Sequence, residues 1–204
     1  MNPGNVCEHL EIRHIDHPQP FKYMFELQHK LQDRLGAGLK PDDTLQEVVS
    51  KIIYWNYCMQ GEVVELAEWL NSTNYNKTEA WMEVVDILHF AMNIGIMLDI
   101  NADSLEKELQ CFIWTSAVND NIEIYQAILD LFSQVTYVID VLPWKSWKTY
   151  PEYVDGRDAA RSIFPQMVMG VLRLGCVLGM SKQDIVNYYC SKNLENHARQ
   201  DRGY

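Results

Sequence analysis

Four acidic residues stand in two pairs in the first half of the sequence, Glu62 with Glu65 and Glu83 with Asp86. The members of each pair are three positions apart, so on a helix they lie side by side on one face. If the two helices pack together, four carboxylates converge on a small volume, and such a group requires a compensating cation. Oxygen ligands alone favour a hard divalent ion, Mg²⁺ or Mn²⁺. The spacing therefore predicts a catalytic metal site.

Acidic pairs on helices more often belong to ordinary solvated surfaces, and the helical wheel distinguishes the two interpretations. At about 100° per residue, Glu62 falls within the apolar arc of its helix and Glu65 lies at its edge, whereas Glu68 lies outside. The second helix is apolar nearly all round, and its polar residues form one narrow stripe that contains Glu83, Asp86, His89 and Asn93. A helix that is hydrophobic on every side is buried, and buried carboxylates are paired, metal-bound or functional. The metal interpretation is favoured.

The composition indicates a globular protein with one sizeable core. The chain has 204 residues, of which 48% are hydrophobic and 22% charged, and this predicts a single domain over residues 1–204. The formal net charge of −11 argues against a nucleic-acid polymer as partner. It remains compatible with a small phosphorylated ligand that is bound through a metal ion.

The cysteines and the apolar segments indicate where in the cell the protein is expected. Five scattered cysteines without a Cys-x-x-Cys pair predict reduced thiols and a cytoplasmic protein, in the host cytoplasm if the protein is viral. The N-terminus has no basic-then-apolar signal segment. The longest apolar run, Phe164 to Met180, is interrupted by Arg173 and by glycines, so neither a transmembrane helix nor a membrane partner is predicted.

Apolar spacing and capping residues predict an all-α fold, a multi-helix bundle that follows an irregular arm over residues 1–20. Thr44-x-x-Glu47 and Ser181-x-x-Asp184 have the pattern of capping boxes, and Thr78 is a candidate cap for the second acidic helix. No sustained alternation or hairpin dipeptide indicates a strand. The predicted helices cover about residues 21–35, 44–70, 78–98, 103–118, 122–141, 157–178 and 181–197.

A faint internal repeat links two segments that both follow an apolar helix. The stretch Ile94–Asn101 resembles Leu174–Ser181, with Gly95 and Gly175 in equivalent positions 80 residues apart. Ile163 and Gln166 stand where a second copy of the acids Glu83 and Asp86 would fall. A duplicated helix pair with one catalytic half explains the match, and so does chance similarity between amphipathic helices.

The C-terminal segment carries a second candidate site. Lys192, Asn196 and Arg199 are spaced by four and three positions, so they share one helix face. Two cations and an amide in a row can bind phosphate oxygens. The alternative is an ordinary helix C-terminus, where the helix dipole favours cationic side chains. The concentration of Lys192, Arg199 and Arg202 within eleven residues of an acidic protein favours an anion site.

Together these segments resemble the dimeric all-α dUTPases, and at least as closely the phage dCTP/dUTP pyrophosphatases of the same all-α NTP pyrophosphatase superfamily. The matching motifs are Glu62-x-x-Glu65, Glu83-x-x-Asp86-Ile-x-His89 and Tyr189-x-x-Lys192-Asn193-x-x-Asn196-x-x-Arg199-Gln-x-x-Gly203-Tyr204. The resemblance implies Mg²⁺-dependent hydrolysis of dUTP, or of dUDP, to dUMP, which removes dUTP from the nucleotide pool. It also implies a homodimer, and two or three Mg²⁺ ions that Mn²⁺ can replace.

The resemblance assigns roles to individual positions. Glu62, Glu65, Glu83 and Asp86 match the metal ligands, and one glutamate would also orient or deprotonate the attacking water. The segment 187–204 matches the phosphate and metal-shell residues Lys192, Asn193, Asn196, Arg199 and Tyr204, with Asn196 also a metal ligand. The positions that match the base site are Gln28, Gln32 and His89. For His89 a hydrogen-bonded core histidine is the alternative, and at Gln32 the family pattern has Asn.

A further departure concerns the aromatic residue that stacks on the base. The family commonly carries a Trp- and Lys-rich segment between the acidic pairs, but this sequence has Asn71–Lys77 there and a similar segment downstream at Pro143–Lys148. Tyr75, Trp144 and Trp147 are candidates for stacking, or for packing and dimer contacts. The same chemistry on dCTP or a modified dNTP remains a rival, and so does a non-catalytic helical binding protein.

Overall fold

The structure is a computed structural model that describes residues 10–114, 121–145, 147–151 and 155–203. The described residues form seven helices and no strand, which confirms the predicted all-α class. The helices are α1 (Pro20–Leu35), α2 (Leu45–Asn71), α3 (Lys77–Met97), α4 (Ala102–Gln110), α5 (Asn121–Asp140), α6 (Arg157–Val177) and α7 (Lys182–Asp201).

Four of the helices pack as a ring. α2 runs along α3, α3 packs on α6, α6 runs along α5, and α5 closes the ring more loosely on α2. α1 packs against α3, α4 and α7, and α7 also contacts α3. α3 is therefore covered on several sides, as its nearly continuous apolar composition requires. By length and composition α3 could cross a membrane, but 83% of its apolar window is buried inside the fold, as expected for a core helix.

The helix termini agree with the predicted caps in two places and differ in others. The capping boxes of Thr44 with Glu47 and of Ser181 with Asp184 are both formed. The cap of α3 is Asn76, which accepts hydrogen bonds from the backbone of Thr78 and Glu79, so the prediction of Thr78 was wrong. α4 ends at residue 110 with Cys111 as its C-cap, short of the predicted 118, and α7 continues past the predicted 197 to 201.

α1 carries the predicted base-binding glutamines, and a carboxylate of α4 fixes its beginning. The side chain of the N-cap residue, Gln19, makes no capping hydrogen bond to this helix. Instead Glu106, which is buried, accepts a hydrogen bond of 2.8 Å from the backbone N–H of Lys22 and one of 3.0 Å from Gln110 Nε2. Both carboxylate oxygens thus have a partner, as a buried acid requires, and α1 is tied to α4.

The arm before α1 lies along α7, which carries the predicted phosphate-binding residues. Asn187 Oδ1 accepts the backbone N–H of Ile15 at 2.8 Å, and Ser191 Oγ accepts that of Arg13 at 2.9 Å. Gln183 Nε2 donates to the carbonyl of Ile15 at 2.7 Å. The three side chains are four residues apart on one face of α7, so the arm and the helix stabilise each other.

The internal repeat extends to the backbone. The starts of α3 and α6 are 80 residues apart, and so are the starts of α4 and α7. Each turn between them has the same hydrogen bond, from Ile100 N to Gly95 O at 3.0 Å and from Met180 N to Gly175 O at 2.9 Å. Each turn also has a left-handed residue at the same position, Asp99 with φ 56° and then Gly179 with φ 83°. These matches favour a duplicated helix pair over chance similarity.

The close packing of α3 predicts the effect of a single methyl group. A Cβ atom at Gly95 would lie 2.9 Å from Phe164 Cε1 and 3.0 Å from Phe25 Cε2. Because both rings are buried, Gly95→Ala is expected to lower the free energy of unfolding by about 2 kcal/mol in urea unfolding experiments.

Gly170→Ala is the matched control on α6. Its Cβ would meet Leu131 Cδ1 at 3.5 Å, an ordinary contact, and alanine is the better helix former. This variant is expected to unfold with unchanged or raised free energy, and equal tolerance of alanine at both positions would contradict the packing described for α3.

Candidate active site

The structure brings three of the four predicted metal ligands together. Glu62 on α2 and Glu83 and Asp86 on α3 each offer a carboxylate oxygen, and these oxygens all lie within 4.8 Å of one another. Glu83 is buried and the other two are half-buried. The close packing of α2 along α3 produces this convergence, because each acid lies on the face that its helix turns towards the other.

Glu65 is placed differently. It lies one helical turn beyond Glu62 on α2 but is exposed, and it is not a member of the group of three oxygens. Its assignment as a metal ligand stays a prediction.

The electrostatics of the three acids fit a divalent cation. Burial, followed by the neighbouring Asp86 carboxylate, raises the pKa of Glu62 to about 7 and that of Glu83 to about 8. A hydrogen bond from the Glu83 carboxyl to that of Glu62 further raises the pKa of Glu83. In the absence of a cation, the cluster therefore lowers its charge by keeping a proton. A hard divalent ion would supply the missing positive charge, and the all-oxygen donor set suits it.

Two side chains from other parts of the chain contact these acids. Lys192 on α7 is buried, and its Nζ lies 2.8 Å from Asp86 Oδ2. Trp69 on α2 donates its indole N–H to Glu83 Oε1 at 3.2 Å. A residue predicted to bind phosphate thus lies beside the predicted metal ligands. Trp69 was not identified from the sequence, although it stands seven residues after Glu62, close to the same face of α2.

A pocket of about 280 Å³ continues from Asp86 between α1, α2, α3 and α7. Its lining brings all three predicted base-binding residues together with two of the predicted phosphate-binding residues. The lining residues used below are Gln28 and Gln32 from α1, Trp55 from α2, Asp86, His89, Phe90 and Asn93 from α3, and Asn196 and Arg199 from α7.

Gln32 lines this pocket with an amide that has no partner. The residue is 1% exposed, and neither its Oε1 nor its Nε2 makes a hydrogen bond within the described residues. A buried amide without partners is costly, because it has lost its bonds to water and gained none. A ligand with both a donor and an acceptor would satisfy it.

Gln28, by contrast, makes three hydrogen bonds with other side chains. Its Oε1 accepts hydrogen bonds from Asn193 Nδ2 at 3.0 Å and from Tyr189 Oη at 3.2 Å, and its Nε2 donates to Asn93 Oδ1 at 2.7 Å. The resemblance assigned Asn193 to phosphate, but the structure buries it completely and directs its amide nitrogen to Gln28.

His89 has one satisfied and one open nitrogen. Its Nδ1 lies 2.8 Å from the carbonyl of Val85, and its ring stacks on Tyr189 with centroids 3.9 Å apart. Burial lowers the pKa of His89 to about 4, so the ring is neutral at neutral pH. With Nδ1 as donor, the buried Nε2 is an acceptor that has no partner in the described chain. The Nδ1 contact fits a hydrogen-bonded core histidine, and contact of Nε2 with a base stays a prediction.

The end of α7 supplies the remaining predicted residues. Asn196 and Arg199 line the pocket, and Glu195 Oε1 accepts from Arg199 Nε at 3.4 Å and from Arg202 Nη2 at 2.6 Å. Tyr204, which the resemblance assigned to phosphate, lies outside the described residues.

The aromatic residues of the pocket differ from the three proposed for stacking. Trp55 and Phe90 line it and stack on each other with ring centroids 5.9 Å apart. Trp144 lines a separate pocket between α2 and α5, whereas Tyr75 and Trp147 are exposed. Phe90 stands four residues after Asp86 and Trp55 seven before Glu62, so their spacing from the acids was a signal in the sequence.

The sequence was also compared with known proteins. A protein-family model described as dUTPase matches residues 20–204, which include all seven helices of the described residues. A search of curated proteins gave no match.

The raised pKa values of Glu62 and Glu83 predict how the metal-free protein responds to pH. The folded protein binds protons that the unfolded chain releases above about pH 4.5, so the stability from this source is complete below that pH and is lost as the pH rises through 7 and 8. Glu83→Gln cannot ionise. With a chelator present, it is expected to lose less unfolding free energy than wild type between about pH 5.5 and about pH 8.5, measured by urea unfolding.

Glu68→Gln is the control, since Glu68 is exposed on α2 and is not a member of the cluster. It is expected to follow wild type. A Glu83→Gln protein with the wild-type pH slope would show that the buried acids do not carry this dependence.

Proposed function

The chain belongs to the all-α dUTPase family, and from this membership we propose that it hydrolyses dUTP to dUMP and pyrophosphate with Mg²⁺. The family implies a nucleotide pyrophosphatase, and the acidic cluster fits the divalent metals that dUTPases generally use. The choice of dUTP and of Mg²⁺ is the proposal.

The observation that carries the proposal is the continuity of one pocket. Asp86, a member of the acidic cluster, lines the same pocket as the buried amide of Gln32, which has no partner in the part of the chain that the structure describes. A triphosphate needs cations at one end of its site, and a base needs directed hydrogen bonds at the other. The pocket offers both, with Trp55 and Phe90 as an aromatic wall between α2 and α3.

The acidic end would perform the hydrolysis. Glu62, Glu83 and Asp86 would hold the divalent ion, which when bound neutralises phosphate oxygens and makes a coordinated water more acidic. Glu65, exposed one turn along α2, is the remaining carboxylate that can orient the attacking water or accept its proton.

The residues of α7 would bind the phosphates. Lys192 Nζ already lies beside Asp86, so it can reach a phosphate oxygen that approaches the cluster. Arg199 lines the pocket and brings a guanidinium that matches phosphate geometry, and Asn196 adds an amide. Because the arm is hydrogen-bonded to α7, it supports the helix that presents these groups.

The proposal includes a homodimer. Tyr54, Tyr57 and Val64 are exposed along one side of α2, and Leu129 and Tyr137 are exposed on the neighbouring α5. Large apolar side chains on two adjacent helices are typical of a surface that packs against another protein. A second copy of the chain would cover them symmetrically.

Hydrolysis of dCTP as well as dUTP is the second candidate. Its support is the Gln32 amide, which makes no hydrogen bond that fixes which end faces the pocket. A rotating amide can present either a donor or an acceptor, so Gln32 alone accepts uracil or cytosine.

A substrate panel tests the proposal. Release of pyrophosphate from dUTP, dCTP, dTTP, dATP, dGTP and UTP would be measured with Mg²⁺ and with a chelator. Mg²⁺-dependent turnover of dUTP is expected, and turnover of dCTP would favour the second candidate. A folded protein that hydrolyses none of them would support the rival of a non-catalytic helical protein.

Glu62→Gln should lower kcat for dUTP at least about a hundredfold, because it removes one charged ligand from the cluster without changing the size of the side chain. Glu68→Gln on the same helix is the matched control, with wild-type kcat expected. Comparable activity in both variants, with folding verified by circular dichroism, would rule out the acidic cluster as the metal site.

A further inference from the structure

The Gln28 amide is held on three sides by residues of two other helices. Asn93 lies on α3, and Tyr189 and Asn193 lie four residues apart on α7. All four side chains are buried, and three hydrogen bonds of 2.7 to 3.2 Å join the other three to Gln28. Such a network fixes the side chain and also fixes which end of its amide points where.

The hydrogen bonds define a polarity. A carbonyl oxygen has two lone pairs, and both lone pairs of Gln28 Oε1 are used, by Tyr189 and Asn193. The amide nitrogen has two N–H groups, and one of them is used by Asn93. Within the described residues, the second N–H is the hydrogen-bonding capacity that Gln28 retains. Because Gln28 lines the pocket, it can offer a ligand there a donor but no acceptor.

The opposite orientation of the Gln28 amide would cost more free energy. In the network as observed, the Asn193 side chain leaves its Oδ1 without a hydrogen-bond partner among the described residues. If every amide were turned over, Asn193 would accept from Gln28 and its own NH₂ group would be buried without a partner. Asn193 is 0% exposed, so water could not satisfy those two N–H groups. An unpaired carbonyl is tolerated better than unpaired donors, which favours Gln28 as the donor.

We propose that Asn93, Tyr189 and Asn193 are positioning residues that fix Gln28 as a hydrogen-bond donor towards the base, and that this polarity selects uracil over cytosine. Uracil presents the O4 carbonyl where cytosine presents an amino group, and a fixed donor is satisfied by the first and opposed by the second. Gln32, whose amide is unconstrained, binds either base, so the discrimination comes from Gln28. This inference rests on the proposed nucleotide substrate.

The test uses one chemical change at two positions of the network. Asn193→Asp replaces the donor to Gln28 Oε1 by an acceptor, so Gln28 must turn its NH₂ towards α7 and its oxygen towards α3 and the pocket. Asn93→Asp keeps the acceptor for Gln28 Nε2 and preserves the polarity. The readout is the ratio of kcat/KM for dUTP to that for dCTP. It is expected to fall about tenfold in Asn193→Asp and to stay within about twofold in Asn93→Asp.

Two further variants separate polarity from charge and from folding. Asn187→Asp adds the same charge to α7 where the side chain already accepts from the arm, and it is expected to keep the wild-type ratio. If Asn193→Asp does not fold, as judged by circular dichroism and melting, Asn193→Ala replaces it. Asn193→Ala removes the donor without adding charge and frees Gln28 to rotate, so the ratio is expected to fall about threefold.

The outcomes are distinguishable from failure of the proposed function. An unchanged ratio in folded Asn193→Asp or Asn193→Ala, an equal fall in Asn93→Asp, or a wild-type preference for dCTP would overturn the inference. If the wild type hydrolyses neither nucleotide, the proposed activity fails. The inference is then decided by calorimetric binding of dUMP and dCMP, which needs no turnover: it predicts a preference for dUMP that Asn193→Asp abolishes, and equal binding by the wild type would overturn it.

Discussion

The structure depends on the close approach of like charges at the contact between α2 and α3. Glu62, Glu83 and Asp86 would repel one another and lose hydration there, and the pKa values of the two glutamates rise as a result. Such an arrangement persists only when surrounding packing enforces it. The buried α3, held by α2, α6, α1 and α7, provides that packing. The packing of α3 thus holds together a cluster of like charges to which a bound cation would supply the missing positive charge.

The remaining elements place polar and charged side chains around this cluster. Glu106 anchors the start of α1, so that Gln28 and Gln32 face the pocket, and the N-terminal arm holds α7. α7 connects the two ends of the site, because Lys192 contacts Asp86 while the adjacent Asn193 contacts Gln28. A single helix therefore contacts both the acidic cluster and Gln28, the proposed phosphate and base ends of the site. α4, the helix that corresponds to α7 in the first repeat, instead anchors the start of α1 through Glu106.

Local patterns in the sequence predicted local features well. Helix periodicity and capping boxes placed most helices to within a few residues, and the wheel positions of Glu62, Glu83 and Asp86 predicted their convergence. Choices between partners depend on tertiary packing, and there the sequence was insufficient. It could not show that Asn193 turns towards Gln28 or that Trp55 and Phe90 meet, since a helical wheel gives a face but not the helix that covers it. α4 ends early for reasons that its own propensity does not reveal.

The most direct test of the account is a crystal structure with Mn²⁺ and a non-hydrolysable dUTP analogue, in which anomalous diffraction locates the metal. We expect anomalous density between the carboxylates of Glu62, Glu83 and Asp86, phosphates that extend towards Lys192, and the uracil ring in the pocket against Gln28. Metal bound away from these three acids, or a base outside that pocket, would contradict the account.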